Sequence, residues 1–430
     1  MNYLIIGNGV SSIGAIEGIR AFDPEGKIVV VSEENVSTYG RPLISYYLAR
    51  KIGPRALPLR AQSYYKDNAV TQKLGVRVER IDIQAKEAVL ADGKRLAYDK
   101  LLLATGGVPN MPPIVGLHGP DVYTFTQKKD AEALMQATET PKRAAIIGAG
   151  LIALKAAEGL AMRGVDVTLV VRSRLMRTYF DEEASALLVR HLERKGIAFM
   201  QGATPSAVLR NKEDRVVGVD TDKGRLDCDL VVMAAGVRPN TELAAAAGLD
   251  VGLGVLVDDH MRTSDPNVYA AGDLTEAQEM LTGQRTVMPI WPNAYNQGYN
   301  AGANMAGAGV DYPGSLNMNS IAYYGLPTVS VGLVNPPEDG GYQIDTFLDK
   351  KRFAYRKLVF LKNRLVGCIL IGDVDHAGFY TGFIRFRLPL DEETRGELVQ
   401  GTPSPLAWPE ELLRTELRLG GAAAPGSVIA

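Results

Sequence analysis

Tyr3-Leu4-Ile5-Ile6-Gly7-Asn8-Gly9-Val10-Ser11-Ser12 is a short apolar strand that runs straight into a glycine-rich turn. An apolar series at helical spacing follows, Val10, Ile13, Ile16 and Ile19, which marks one face of a helix. After Gly26 comes Ile28-Val29-Val30-Val31, a β-branched run that reads as a parallel strand buried on both faces. Together these make a βαβ unit that ends in Ser32-Glu33-Glu34.

The same order returns further along. Ala144-Ala145-Ile146-Ile147 is a strand, Gly148-Ala149-Gly150-Leu151-Ile152-Ala153 a turn, and Leu151, Leu154, Ala157 and Leu160 a helix face. Gly164 breaks the helix before the strand Val167–Val171. Leu101-Leu102-Leu103-Ala104-Thr105-Gly106 closes the first half, and Leu230-Val231-Val232-Met233-Ala234-Ala235-Gly236 closes the second. This is the pattern of an internal duplication, two doubly wound Rossmann-like α/β units in one chain. Proline-bearing linkers, Val108–Pro113 and Val237–Asn240, mark the seams. From about residue 316 alternating segments such as Thr328–Val331 and Leu358–Leu361 predict an α+β C-terminal domain. A short amphipathic helix is expected at Trp408–Leu417, and then a flexible Gly/Ala tail.

Bulk properties fit this reading. The chain has 430 residues, enough for about three domains of ~150 residues. It carries 45 Gly but only 2 Cys, so its core is expected to need no disulfide framework. Lys+Arg 47 against Asp+Glu 49 argues against a nucleic-acid or polybasic membrane surface. No stretch is long and apolar enough for a membrane span, and the N-terminus has no signal-peptide pattern. A reducing, cytoplasmic location is the expectation. Cys228 and Cys368 lie too far apart in sequence for a CxxC pair, and His118, His191, His260 and His376 have no ligand spacing, so no metal site is expected.

A strand–glycine turn–helix unit binds a pyrophosphate because glycine lets the backbone approach the phosphates, while the helix N-terminus offers free N–H groups and a positive dipole end. Gly7 and Gly9 fit that role, and Ser12 is small enough for close helix packing. Glu33 is placed to hold adenosine ribose hydroxyls. In the second unit Gly148, Gly150 and Ala153 match, but its strand ends Val171-Arg172-Ser173-Arg174 where an NAD-selective site carries Asp or Glu. Arg172, Arg174 and Arg177 suit a 2′-phosphate, hence NADPH. The alternative is an ordinary solvated basic cluster with NADH as the nucleotide.

Two dinucleotide sites in this order resemble the pyridine nucleotide–disulfide oxidoreductase superfamily of FAD/NAD(P) flavoproteins, in its NADH oxidase, rubredoxin reductase and nitrite-reductase-like branch. The most specific match is Thr263-Ser264-Asp265-Pro266-Asn267-Val268-Tyr269-Ala270-Ala271-Gly272-Asp273. The resemblance implies that this segment returns to the FAD, with Asp273 binding the ribityl chain. A carboxylate suits sugar hydroxyls because it accepts their hydrogen bonds. Thr105-Gly106 resembles the family's turn near FAD, and Ala235-Gly236 its counterpart at the second nucleotide. Tyr39-Gly40-Arg41-Pro42 resembles a turn lying along the flavin and its pyrophosphate. Trp291-Pro292-Asn293-Ala294 with Gln297-Gly298 resembles a helix start near the isoalloxazine ring, or else a buried aromatic anchor.

The sequence also departs from the family. Disulfide-using members place a redox cysteine where this chain has Pro42, which forms no thiolate. Lys155 stands where relatives carry Glu, near the meeting of nicotinamide and flavin, and is the one candidate catalytic residue. Its charge either stabilises a reduced, anionic flavin or disfavours the nicotinamide amide, unless its stem simply carries it to solvent. The His–Glu pair of disulfide reductases has no counterpart beyond Asp373-Val374-Asp375-His376.

The expectation is an FAD-dependent NAD(P)H oxidoreductase with FAD at 1–112 and 238–315 and the nucleotide at 113–237. The interface domain spans 316–395, and 396–430 holds the short helix and tail. Electrons would pass to rubredoxin, ferredoxin or an iron–sulfur subunit. The alternatives are an oxidase reducing O₂ and a non-catalytic FAD-binding subunit of a larger redox complex. The resemblance also implies a homodimer formed through the C-terminal domain.

Overall fold

The strand Asn2–Ile6 lies in the middle of a five-stranded parallel sheet whose order is Val268–Ala270, Lys100–Leu103, Asn2–Ile6, Lys27–Ser32, Val70–Leu74. In the computed structural model, which describes residues 1–140 and 142–403, a second parallel sheet repeats this plan. Its order is Ala198–Gln201, Asp166–Val171, Arg143–Ile147, Leu230–Met233, Val122–Thr124. In both sheets the strand that enters a glycine turn is central, flanked by its crossover partner and by the strand that closes the half. The β-branched runs are buried because helices or loops cover both faces of such sheets.

The duplication reaches further than the glycine turns. Each half also carries a three-stranded antiparallel meander just before its closing strand. Val78–Asp82, Glu87–Leu90 and Arg95–Ala97 form one; Pro205–Arg210, Val216–Thr221 and Gly224–Asp227 form the other. These strands are too short and too polar to stand out from periodicity alone.

The linkers between the halves are not loose connections. Gly107–Pro109 pairs antiparallel with Val237–Pro239. Asn110 N–H donates to Gly236 O at 2.9 Å, and Asn240 N–H to Gly106 O at 2.9 Å. The Thr105 hydroxyl adds a bond to Asn240 O at 3.0 Å.

Helix Val10–Phe22 packs along helix Trp291–Met305. Gly14 and Gly18 face one backbone, Gly298 and Gly302 the other. A Cβ on Gly298 would sit 2.0 Å from Ser11 O, and one on Gly302 2.2 Å from Ala15 O. On the opposing helix, a Cβ on Gly14 would lie 2.3 Å from Tyr295 O and one on Gly18 2.2 Å from Tyr299 O. The helices touch backbone to backbone, which only glycine permits.

The chain divides into two units, Met1–Asn317 with Ala322–Leu326, and Met318–Ile321 with Pro327 onward. In the second unit Arg364–Ile371 pairs antiparallel with Leu326–Gly332 on one side and Ala354–Leu361 on the other, and Tyr342–Asp349 forms the edge. Helices Ala377–Arg385 and Glu392–Gln400 follow. The helix expected at Trp408–Leu417 and the tail lie outside the described residues. Among the described residues no helix is long and apolar enough to cross a membrane.

Gly298→Ala is expected to destabilise the fold by at least the ~1–3 kcal/mol typical of overpacking. Gly396→Ala, in a helix where a Cβ meets nothing within 4 Å, is expected to stabilise by about 0.5–1 kcal/mol. Denaturant midpoints of the two variants check the contrast; equal effects would refute the backbone-contact account.

Candidate functional site

The first glycine turn is shaped by two opposite demands on space. Gly7 has φ +113, and a Cβ there would lie 2.1 Å from Ala104 O. Gly9 borders open space, with nothing within 4 Å of its would-be Cβ. One glycine seats the turn against its neighbouring strand, and the other leaves room for a ligand. Helix Val10–Phe22 has no side-chain cap, so its first N–H groups face that room. Ser12 is fully buried and its hydroxyl donates to Gly7 O at 2.9 Å. Ser12 therefore ties the turn together from behind.

Asn8 adds a group that the sequence did not single out. Its Oδ1 accepts from Tyr65 and Thr38 hydroxyls at 2.7 Å each, while its buried Nδ2 has no partner among the described residues. A buried, unpaired donor costs stability unless a ligand supplies the acceptor.

Asp273 lies across from this turn. Gly272, at φ +91, donates its N–H to Gln297 Oε1 at 2.8 Å, and the Thr275 hydroxyl donates to the same oxygen at 2.8 Å. The fully engaged Gln297 also donates from Nε2 to Ser315 Oγ at 3.2 Å. This clasp fixes the backbone while the Asp273 carboxylate makes no hydrogen bond to protein among the described residues. Burial pushes its carboxyl above the usual carboxylate range, an effect that Arg41 offsets only in part.

Arg41 is ion-paired with Glu34 and donates to Thr126 O at 3.0 Å. Tyr39 donates to Glu34 at 2.8 Å and accepts from the Lys128 N–H at 2.9 Å. Pro42 sits in the turn Arg41–Leu43 that leads into helix Ile44–Leu48. Glu34 is thus committed to the protein, whereas Glu33 is exposed and makes no side-chain hydrogen bond among the described residues. Thr105 braces the linker, and Gly106 borders open space. Asn293 plays a structural part, since its amide exchanges hydrogen bonds with Leu316 O and Leu316 N–H at 3.1 and 3.3 Å. Trp291 is exposed, which rules out the buried-anchor alternative.

The second turn is built in the same way. A Cβ on Gly148, at φ +151, would lie 2.1 Å from Ala234 O, while Gly150 and Gly236 border open space. Ala153 is fully buried behind the turn. Arg172, just past the end of strand Asp166–Val171, is exposed and makes no hydrogen bond among the described residues. Arg174 is spent on Phe180 O at 3.1 Å and lies 3.8 Å from Glu182. Arg172 and Arg174 therefore do not act alike, and Arg172 is the one presented at the strand end.

Lys155 does not reach solvent. It is 8% exposed, and its Nζ lies 2.5 Å from Glu158 Oε2 and 3.3 Å from Ala322 O. It also stands over the Tyr46 ring at 4.8 Å. Glu158 takes further bonds from Lys51 at 3.2 Å and from the Tyr324 N–H at 3.3 Å. The solvent alternative is overturned because helix Leu151–Ala161 packs against helix Ile44–Leu48, where a Cβ on Gly159 would meet Leu48 at 2.9 Å. Glu158 was legible as an i+3 partner of Lys155; Tyr46 and Lys51, distant in sequence, gave no signal.

Neither thiol is available for chemistry. Cys228 and Cys368 are both buried and free, and burial pushes them up to about 11 and about 12. Among the described residues no His/Cys/Asp/Glu group is placed to hold a metal. His376 sits at the start of helix Ala377–Arg385.

The arrangement fits dinucleotides at both turns: open glycine cradles, an uncapped helix start, an orphaned Asn8 donor and an uncommitted Asp273. Comparison with known proteins agrees. Residues 1–298 match the family model described as pyridine nucleotide-disulphide oxidoreductase, and residues 318–386 match the rubredoxin NAD+ reductase C-terminal domain. The chain is 34% identical to the NADH-dependent phenylglyoxylate dehydrogenase subunit epsilon of Aromatoleum evansii, covering 83% of this chain and 85% of that one. It is 32% identical to the assimilatory nitrate reductase electron transfer subunit of Bacillus subtilis over 93% of its own length. It spans only 52% of that relative. Among solved structures, a putidaredoxin reductase in covalent complex with putidaredoxin superposes with a TM-score of 0.83 at 26% identity, covering 93% of this chain and 98% of that one.

Native protein is expected to resist thiol alkylation, with both cysteines reacting only after unfolding. Mass spectrometry after N-ethylmaleimide treatment reads this; rapid labelling of native Cys228 or Cys368 would contradict their burial.

Proposed function

Since the chain belongs to the pyridine nucleotide-disulphide oxidoreductase family, whose members are FAD-dependent NAD(P)H oxidoreductases, we propose that it takes electrons from NADPH through FAD to a small redox protein or an iron–sulfur subunit, with no cysteine relay. The observation that carries this reading is the pairing of Pro42 at the place of the redox thiol with two buried, inert cysteines. A thiol relay needs an accessible thiolate, so electrons leave the flavin directly.

When bound, the nicotinamide supplies the hydride and FAD accepts it; the protein supplies orientation and electrostatics. Gly7, Gly9, Gly106 and the start of helix Val10–Phe22 are proposed to hold the FAD pyrophosphate, Glu33 the ribose and Asp273 the ribityl hydroxyls. Arg41 and Pro42 line the flavin side. Gly148, Gly150, Ala153 and Gly236 would seat the nicotinamide nucleotide, with Arg172 facing its 2′-phosphate and Arg174 bracing the loop. The exposed, uncommitted Arg172 is what favours NADPH over NADH.

The carrier reading is supported by a relative named as an electron transfer subunit and by a neighbouring structure solved with its small redox partner. Anaerobic titration of the purified full chain with NADPH and NADH, followed by flavin absorbance, tests the reading. Bleaching with negligible O₂ uptake and rapid reduction of an added ferredoxin or rubredoxin supports it. No bleaching by either nucleotide refutes it in favour of a non-catalytic subunit, and fast O₂ uptake refutes it in favour of an oxidase.

Arg172→Ala is expected to lower kcat/KM for NADPH about tenfold while changing that for NADH little, the loss of one charged phosphate contact at ~1.4 kcal/mol. Steady-state kinetics with both nucleotides checks this; an equal loss with each would overturn the 2′-phosphate assignment.

A further inference from the structure

The buried charges at the junction of helices Ile44–Leu48 and Leu151–Ala161 do not cancel. Lys155 and Lys51 share one carboxylate, Glu158, whose two oxygens are occupied by the two ammonium groups at 2.5 and 3.2 Å. The other groups facing this cluster add no charge. Tyr46 offers a ring face, and burial holds the Tyr323 hydroxyl well above its ordinary value, hence neutral. Tyr324 contributes its backbone N–H, and its hydroxyl is likewise raised by burial to about 12. His191, which touches Tyr323 O at 3.0 Å, is pushed down by burial and is neutral near pH 7. The nearby Lys128 and Glu132 pair with each other at 2.5 Å. One unit of positive charge is therefore left over in the triad, shielded from solvent at Lys155, which is 8% exposed, and only partly so at Lys51, whose side chain is 37% exposed.

Resting on the proposed function, which sets the flavin beside Arg41 and Pro42 in the turn that leads into helix Ile44–Leu48, we infer that the Lys51–Glu158–Lys155 triad tunes the flavin toward its reduced state. A hydride from nicotinamide C4 carries two electrons and one proton to flavin N5. The nicotinamide ring leaves with one positive charge, and the reduced flavin keeps one negative charge. A fixed net positive charge at the junction stabilises that anion over the neutral oxidised ring and so raises the reduction potential. Lys155 acts here as a positioning and electrostatic residue, held by its hydrogen bonds to Glu158 and Ala322 O.

Three FAD-loaded variants of the full chain test the inference by the flavin midpoint potential. It is read by equilibrium reduction against a reference dye with xanthine and xanthine oxidase as electron source. Lys155→Met removes a positive charge and is expected to lower the midpoint. Glu158→Gln removes the negative charge and is expected to raise it. Lys51→Gln is expected to lower it by less, because that side chain is 37% exposed. A merely structural pair would shift Lys155→Met and Glu158→Gln in the same direction, since each breaks the same bond. That result, or unchanged potentials in both, overturns the inference. Where a buried variant loses its FAD, Lys51→Gln decides by the sign of its shift. Dye reduction bypasses the nicotinamide, so failure of NADPH and NADH to bleach the flavin would refute the proposed function while leaving this series readable.

Discussion

Gly14 and Gly18 on one helix meet the backbone of Trp291–Met305, and Gly298 and Gly302 on that helix meet the backbone of Val10–Phe22, with no side chain between them. The register of this contact sets where everything else in the first unit can be. Gln297 immediately precedes Gly298, so the helix pairing delivers its amide oxygen to Gly272 and Thr275 and its Nε2 to Ser315. Because the same pairing anchors the helix that begins at the first glycine turn, it also fixes how far Asp273 stands from that turn. A slip of one helical turn, ~5.4 Å along the axis, would separate the carboxylate from the phosphate cradle. The site is thus held by backbone geometry, which is stiffer than any set of surface contacts.

The two halves show one scaffold serving two ligands. Both press their first glycine against a carbonyl, Ala104 in one and Ala234 in the other, at the same 2.1 Å would-be Cβ distance. What differs is the charge beyond the second strand. The first half offers Glu33 and the engaged Glu34–Arg41 pair, the second Arg172 with no carboxylate before Asp181. Both halves keep the same backbone constraints, and the charged side chains beyond the second strand differ.

Much of this architecture was legible in the sequence because its constraints are local. A glycine forced against a neighbouring strand and a β-branched run buried on both faces leave marks within a dozen residues. The meanders left no such mark, since strands such as Arg95–Ala97 are three residues long and held by their partners. Lys155 could be flagged as out of place, but its burial depends on Gly159 letting Leu48 approach, a contact between distant segments. The place of Asn293 beside Trp291 suggests that it faces a cofactor, whereas its amide is committed to Leu316. The spacing Gly14/Gly18 and Gly298/Gly302 was present to be read, and its meaning emerged only when the two helices were seen together.

The paired linkers constrain how the second half is joined to the first. Gly107–Pro109 and Val237–Pro239 hydrogen-bond to each other, so the chain leaves the first half and returns to it through one short ribbon. Neither strand can slide without dragging the other out of register. The second half is therefore held at two places, by this ribbon and by helix Leu151–Ala161 packed on helix Ile44–Leu48 with the Lys51–Glu158 pair across the contact. It is also a closed cassette, with its entrance and exit side by side, so its length can change without disturbing the frame around it.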